Sequence, residues 1–282
     1  MGKFFDALKK SESPNKPLSP KPDAMKAGKV SPDAVDALRL DTTALQSPAE
    51  EPPFPRGGMD TRLASFLEPG SLAAESFKML RAKLFTRNEG SRPRSIMITS
   101  PLPLDGKSTA ATNLAINIAQ GINEYVMLVD CDLRKPSLAG LLGLNANKGI
   151  REYLEEGTSV APYLVKTPVK KLTLLPAGKP PQNPSELLSS EKMRRLIEEI
   201  KARYEDRYII FDATPTQFAA ETTFLASMMD GVILVVRSGK TAKDLVMEAV
   251  QNIGSNKILG LVFNASSENH RGYRYYYRYY RK

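Results

Sequence analysis

Residues 95–109 read Ser-Ile-Met-Ile-Thr-Ser-Pro-Leu-Pro-Leu-Asp-Gly-Lys-Ser-Thr. The apolar run 95–99 has the length of a buried strand, and from Ser108 apolar residues recur at helical spacing to residue 120. Between them lies a turn that ends in Gly106-Lys107-Ser108. Strand, loop and helix in that order form the setting in which a Gly-Lys-Ser triplet holds phosphate. Gly106 lets the backbone close on the anion, and amides at the helix start face it. Lys107 is placed to neutralise β- and γ-phosphate charge, and the Ser108 hydroxyl to sit on Mg²⁺. Asp105 and Thr109 flank the triplet and join it as nucleotide-binding residues. A turn and helix cap that happens to contain the triplet is the competing reading, to be judged against the other strand ends.

Those ends carry acid. Residues 125–129 (Tyr-Val-Met-Leu-Val) read as a second strand that runs into Asp130-Cys131-Asp132-Leu133-Arg134. Two carboxylates one residue apart at a strand end are unfavourable without a cation or hydrogen-bond donors. Residues 208–211 (Tyr-Ile-Ile-Phe) end in Asp212, the apolar run and acid of a Walker B element. ATP with Mg²⁺ explains all three acids at once, whereas a structural reading needs three unrelated coincidences. Cys131 reads as a small packing residue, since it is the only cysteine and cannot complete a redox pair or an internal disulfide. His270 is the only histidine, so no histidine metal cluster can form around it.

Further apolar runs follow at Leu172–Leu175, 232–236 and 258–263, with helical patterns at Glu191–Arg203 and 244–253. Upstream, Ser71 is a candidate helix cap for a pattern that includes Leu72, Phe77, Leu80, Leu84 and Phe85. Continuous apolar strands alternating with helices predict an α/β fold: a P-loop NTPase with a mostly parallel sheet sandwiched by helices. Ligands bind such sheets at the carboxyl ends of the strands, where the acids and the triplet fall.

The chain has 282 residues, 41% of them hydrophobic, enough for one core plus extensions. Residues 1–10 (Met-Gly-Lys-Phe-Phe-Asp-Ala-Leu-Lys-Lys) read as a short amphipathic docking helix, with a frayed terminus as the alternative. Residues 11–60 are rich in Pro, Ser, Lys and Ala and read as a disordered linker. Residues 61–265 form the P-loop domain, and 266–282 a tail. The tail holds six of the eleven tyrosines: Tyr273, Tyr275, Tyr276, Tyr277, Tyr279 and Tyr280. Its spacing matches neither helix nor strand packing. Arg271, Arg274, Arg278, Arg281 and Lys282 contribute five positives to the formal charge of +9, so much of the excess is a property of the tail. No apolar run reaches the ~18 residues that span a bilayer. The reading is a cytoplasmic protein, peripheral to the inner membrane only through a partner.

Together these residues resemble the bacterial tyrosine kinase family, the cytoplasmic autokinases of exopolysaccharide and capsule loci related to the MinD and ParA ATPases. The resemblance runs over roughly residues 70–282. It rests on the Walker A stretch, Asp130 to Arg134, Asn183-Pro-Ser-Glu-Leu-Leu, Asp212, Asp230-Gly-Val and the tyrosine cluster. The opening residues and Asp-Arg-Tyr-Ile-Ile-Phe-Asp at 206–212 resemble the exosortase-associated branch. The resemblance implies an ATP-dependent autokinase that regulates polysaccharide polymerisation and export. Its phosphoacceptors would be the six tail tyrosines, presented in trans within a homo-oligomeric ring. Asp130 would act as base with Lys107 on phosphate, while Ser108, Asp132 and Asp212 hold Mg²⁺; the roles of Asp130 and Asp132 can be exchanged. Asn264 would contact the nucleotide base, with a structural cap as its alternative. Glu75, Lys78 and Arg81 match the spacing of an inter-subunit helix, with a solvated face as the alternative. A membrane-embedded polysaccharide co-polymerase as activator and a cognate tyrosine phosphatase are the implied partners.

The sequence departs from that pattern at Leu104, where a glycine is usual, at Asp105, Ala213 and Thr214, and at Glu221 in place of Asp. Leu104 would resist the positive φ that a glycine supplies. Two other readings therefore stand beside the kinase. One is a nucleotide-binding assembly subunit with weakened chemistry; the other is a MinD/ParA-like ATPase, disfavoured because positions 101–105 lack a lysine. Nucleic acid, engaged through the Arg/Tyr tail, is disfavoured as a partner.

Overall fold

The structure, a computed structural model, describes residues 58–86, 92–204 and 206–266. The docking helix expected at 1–10, the linker up to residue 57 and the tail tyrosines lie outside these residues. Among the described residues the strands are β1 (Ser95–Thr99), β2 (Tyr125–Asp130), β3 (Val165–Lys166), β4 (Leu172–Leu175), β5 (Arg207–Asp212), β6 (Gly231–Arg237) and β7 (Ile258–Asn264). They form one sheet in the order β3-β4-β2-β5-β1-β6-β7. Every pairing is parallel except that of β3 with β4.

The helices are α1 (Ala64–Leu67), α2 (Leu72–Phe85), α3 (Lys107–Ala119), α4 (Leu138–Leu141), α5 (Ile150–Glu156), α6 (Pro184–Leu188), α7 (Glu191–Arg203), α8 (Ala220–Ser227) and α9 (Lys243–Ile253). Parallel neighbours need a crossover, and helices supply it, so both faces of the sheet are covered. Strand alternation divides the core accordingly. Ile96, Ile98, Val126, Leu128, Ile210, Ile233 and Val235 enter the cluster that includes α3. Met97, Met127, Val129, Ile209, Phe211 and Leu234 enter the cluster on the α7 side.

Helix α3 is buried almost all round, including Ala110, Leu114, Ile116 and Ile118. It lies between the sheet and an outer layer of α1 and α2, so it has no water-facing stripe to keep polar. Asn113 ties that layer down, accepting from the Ser65 amide at 2.9 Å and donating to the Arg62 carbonyl at 3.0 Å. Helix α7 is the amphipathic case: Met193, Leu196, Ile197 and Ile200 are buried, and Ser190 Oγ caps the Met193 amide at 3.1 Å. Each such burial contributes roughly 1.5–3 kcal/mol before chain entropy is counted. The expected cap on α2 is also present, Ser71 Oγ accepting from the Ala74 amide at 3.2 Å.

Four strands run one residue beyond their apolar stretch at the carboxyl end, to Asp130, Asp212, Arg237 and Asn264, because a polar side chain at the end of a ladder does not stop the backbone pairing. The two-residue β3 and the short helices α1, α4, α5 and α6 have no counterpart in the sequence reading, being too short to show a period. Met59 is buried and the Asp60 amide donates to the Leu141 carbonyl at 3.0 Å, so packing already begins at the end of the stretch read as linker.

Candidate active site

Strand order sets the carboxyl ends of β2, β5 and β1 side by side. Asp130 is in register with Asp212, and Asp212 with Ile98, one residue before the end of β1. The loop after β1 delivers Lys107 as the first residue of α3. Its Nζ lies 2.8 Å from Asp132 Oδ2, 3.2 and 3.3 Å from the two Asp212 oxygens, and 3.1 Å from Ser108 Oγ. The structure thus brings Lys107, Ser108, Asp132 and Asp212 to one point. Asp130 is turned to the neighbouring loop: its Oδ1 accepts from the Asp132 amide at 3.2 Å, and its Oδ2 from the Ser137 and Leu138 amides, each at 3.1 Å. The Lys135 amide donates to Asp132 Oδ1 at 3.0 Å. Residues 131–138 are therefore folded around the two aspartates they follow.

Burial acts against every charge here. It favours the neutral amine of Lys107, but the carboxylates of Asp212 and Asp132 outweigh it and hold the ammonium well above the usual lysine range. Burial first, and then the nearby Asp212 charge, push Asp130 up to about 7 against the opposing Leu138 and Ser137 amides. Asp212 is also raised by burial, which Lys107 and the Ser108 hydroxyl partly offset. Burial likewise raises the Cys131 thiol, in keeping with an inert packing residue.

The loop itself explains how a leucine is tolerated. Leu104 adopts φ 67°, a conformation roughly 1–2 kcal/mol unfavourable for a residue with a Cβ. Its side chain is 78% exposed, so the turn displaces nothing from the core. Gly106 has φ 96°, which favours glycine, and a Cβ there would stand 2.0 Å from Asn264 Nδ2, so the Asn264 amide would have to shift to admit one. Asn264, expected to touch the nucleotide base, here donates from Nδ2 to the Asp105 carbonyl at 2.9 Å. Asp105 is buried; its Oδ2 accepts from the Leu102 amide at 3.1 Å and its Oδ1 from the Thr241 hydroxyl at 2.7 Å. Thr109 lies half-buried in the first turn of α3.

Several of these partners were not legible in the sequence. Thr241 and Arg237 reach the loop from beyond residue 230 and carry no motif. Ser185 lies in the Asn183-Pro-Ser-Glu-Leu-Leu stretch, but nothing there indicated its partners. Arg134 donates to the buried Glu221 at 3.2 Å and to Ser185 Oγ at 2.6 Å, and Ser185 donates to the second Glu221 oxygen at 3.1 Å. That network ties the aspartate loop to α6 and α8. On α2, Lys78 pairs with Glu75 at 2.7 Å and donates to the Pro69 carbonyl at 3.1 Å. Arg81 turns inward to the Asn117 carbonyl at 2.7 Å.

Ser108, Asp132 and Asp212 offer three hard oxygen donors around the point that the Lys107 ammonium fills. Mg²⁺ needs one or two carboxylates, water and substrate phosphate rather than a closed protein cage, so these residues fit it. With a phosphate-type loop at the start of α3 and a parallel sheet covered on both faces, the chain is a P-loop NTPase in fold.

A family described as an AAA domain matches residues 105–258. The chain is 34% identical over 221 residues to tyrosine-protein kinase YwqD of Bacillus subtilis strain 168, spanning 77% of this chain and 92% of that one. Among solved structures it is similar to the chimerical protein CapA2B2, with 30% identity, a TM-score of 0.67 and coverage of 74% and 92%. It is also similar to the kinase domain of the Escherichia coli tyrosine kinase ETK, at 25% identity, TM-score 0.68 and coverage of 74% and 81%. The chain belongs to the bacterial tyrosine-protein kinases.

Proposed function

We propose that this chain moves the γ-phosphoryl group of ATP to the tyrosines of its own tail, carried by another copy, and thereby regulates exopolysaccharide or capsule polymerisation and export. The convergence of Lys107, Ser108, Asp132 and Asp212 carries the reading, because it gathers the charges that phosphoryl transfer needs. Lys107 redirects from the two carboxylates to the β/γ-phosphates of ATP. Ser108, Asp132 and Asp212 hold Mg²⁺, which neutralises charge on the phosphates when bound. The acceptor phenol ionises only near ~10 by itself, so a base is needed. Asp130 takes the phenolic proton, the new tyrosine O–P bond forms as the bond to the β–γ bridging oxygen breaks, and ADP leaves. Asp130 near 7 is well matched to that task.

Asp132 is the second candidate base, since both Asp130 oxygens already accept backbone amides. Glu75 and Lys78 remain the side chains of α2 offered to a neighbouring subunit in a ring. The partners are a membrane-embedded polysaccharide co-polymerase that activates the kinase and a tyrosine phosphatase that resets it. Among the described residues no helix is long and apolar enough to cross a membrane.

Purified full-length protein incubated with ATP and Mg²⁺ is expected to accumulate phosphotyrosine. The signal should vanish in Lys107→Met and when the six tail tyrosines are changed to Phe. Absence of phosphotyrosine in the wild type, with or without an activator peptide, would replace the kinase by the nucleotide-binding assembly subunit.

A further inference from the structure

Leu104 sits in a left-handed turn that a glycine would enter freely, and the phosphate loop nevertheless keeps that turn. Three side chains from the carboxyl ends of β6 and β7 and the loop after β6 reach the residues around it. Arg237, the last residue of β6, donates from Nη1 to the Leu104 carbonyl at 3.3 Å. Thr241 donates its hydroxyl to Asp105 Oδ1 at 2.7 Å and accepts from the Arg237 amide at 3.3 Å. Asn264, the last residue of β7, donates to the Asp105 carbonyl at 2.9 Å. Arg237 and Asn264 are themselves register partners, and the Ser238 amide donates to the Asn264 carbonyl at 2.9 Å, so the holders form one rigid edge.

We infer that Arg237, Thr241 and Asn264 are positioning residues that clamp the phosphate loop in its binding shape, and that this chain depends on the clamp because residue 104 is leucine. The physical reason lies in one dihedral. Returning φ of Leu104 to negative values relieves the clash between its Cβ and the backbone. That change also rotates the neighbouring peptide groups, so the amides of Leu104 and Asp105 no longer present themselves together to an anion. A glycine gains little from the same rotation, since both signs of φ are open to it. The clamp opposes the rotation at successive points: the Leu104 carbonyl, the Asp105 carboxylate and the Asp105 carbonyl. This inference rests on the nucleotide reading of the site and adds what keeps that site formed.

A double-mutant cycle on full-length protein tests it, read by calorimetric titration with Mg-ADP and accompanied by thermal melts. Thr241→Val and Arg237→Gln are each expected to weaken Mg-ADP binding at least fivefold in the wild-type background. In a Leu104→Gly background the same changes should cost less than twofold. Leu104→Gly alone should bind at least as tightly as wild type. Equal losses in both backgrounds, a larger loss in the glycine background, or no loss in either overturns the clamp while leaving nucleotide binding intact. Failure of the folded wild type to bind Mg-ADP sinks the nucleotide reading and the clamp with it. Amide exchange of residues 102–106 without nucleotide gives a second readout, faster in Thr241→Val than in wild type. Unchanged exchange there overturns the clamp even if Thr241→Val lowers the melting temperature.

Discussion

At Lys107 two carboxylates converge on one ammonium, while Asp130, two residues before Asp132, is held by backbone amides and is pushed up to about 7 by burial and the nearby Asp212 charge. The two roles separate by pH. If Asp130 is the base, it must be ionised, so kcat/KM should rise with pH through about 7 and level above it. Asp130→Asn should lower kcat by roughly 10²–10⁴ and remove that limb, whereas the limb should survive in Asp132→Asn. Stability carries the opposite slope. The folded state keeps a proton on Asp130 that the unfolded chain releases near the ordinary aspartate value of 3.8, so this contribution is complete below that value and lost as pH rises to about 7. Urea unfolding at several pH values should show wild type losing stability over that window relative to Asp130→Asn. Equal slopes would mean that Asp130 is already ionised throughout. The motif residues here were legible because each stands at the end of an apolar strand run or in the loop that opens a helix. Arg237 and Thr241 were not, since their partners come from other segments and their local sequence carries no motif; Glu221 and Ser185 stood out in the sequence, but their pairing with Arg134 did not.

At the scale of the element, helix α2 shows how one charged face divides. Glu75, Lys78 and Arg81 have the spacing of a single face, but Arg81 satisfies a carbonyl at the end of α3 while Lys78 stays half-exposed beside Glu75. A helix C-terminus gathers unpaired carbonyls, which explains why a guanidinium is drawn to it. Lys78→Glu should therefore lower the oligomer mass seen by light scattering and leave the melting temperature within about 2 °C of wild type, as for a surface change. Arg81→Ala should instead lower stability by about 1 kcal/mol, the worth of a hydrogen bond. A stable monomeric Arg81→Ala would return that residue to the interface. The long elements α2, α3 and α7 and the central strands were readable because each repeats its pattern over several turns or a full buried ladder. Short pieces such as β3 and α4 exist because the fold supplies partners for them.

For the whole molecule the tail dominates the charge. Arg271, Arg274, Arg278, Arg281 and Lys282 carry five positives near the six tyrosines. Each phosphate adds about −1.5 to −2 at neutral pH, so three modified tyrosines cancel them. Docking of a basic tail should then weaken, and a ring held by that docking should come apart. Light scattering of the phosphorylated and the dephosphorylated protein should give a smaller mass for the former; equal masses would refute the link. The doubly covered parallel sheet, the phosphate loop after its first strand and the acids at two strand ends were determined by the sequence alone, since burial on both faces demands continuous apolar runs and anion binding demands Gly-Lys-Ser at a helix start. Tertiary structure alone decided which acids face Lys107, which one is held by backbone amides, and how Leu104 is kept in a glycine's conformation. Those outcomes depend on Asp212 reaching Lys107, and Arg237, Thr241 and Asn264 reaching residues 104 and 105, from more than a hundred residues away, and on how residues 131–138 fold back on Asp130; periodicity along the chain contains no information about distance across it.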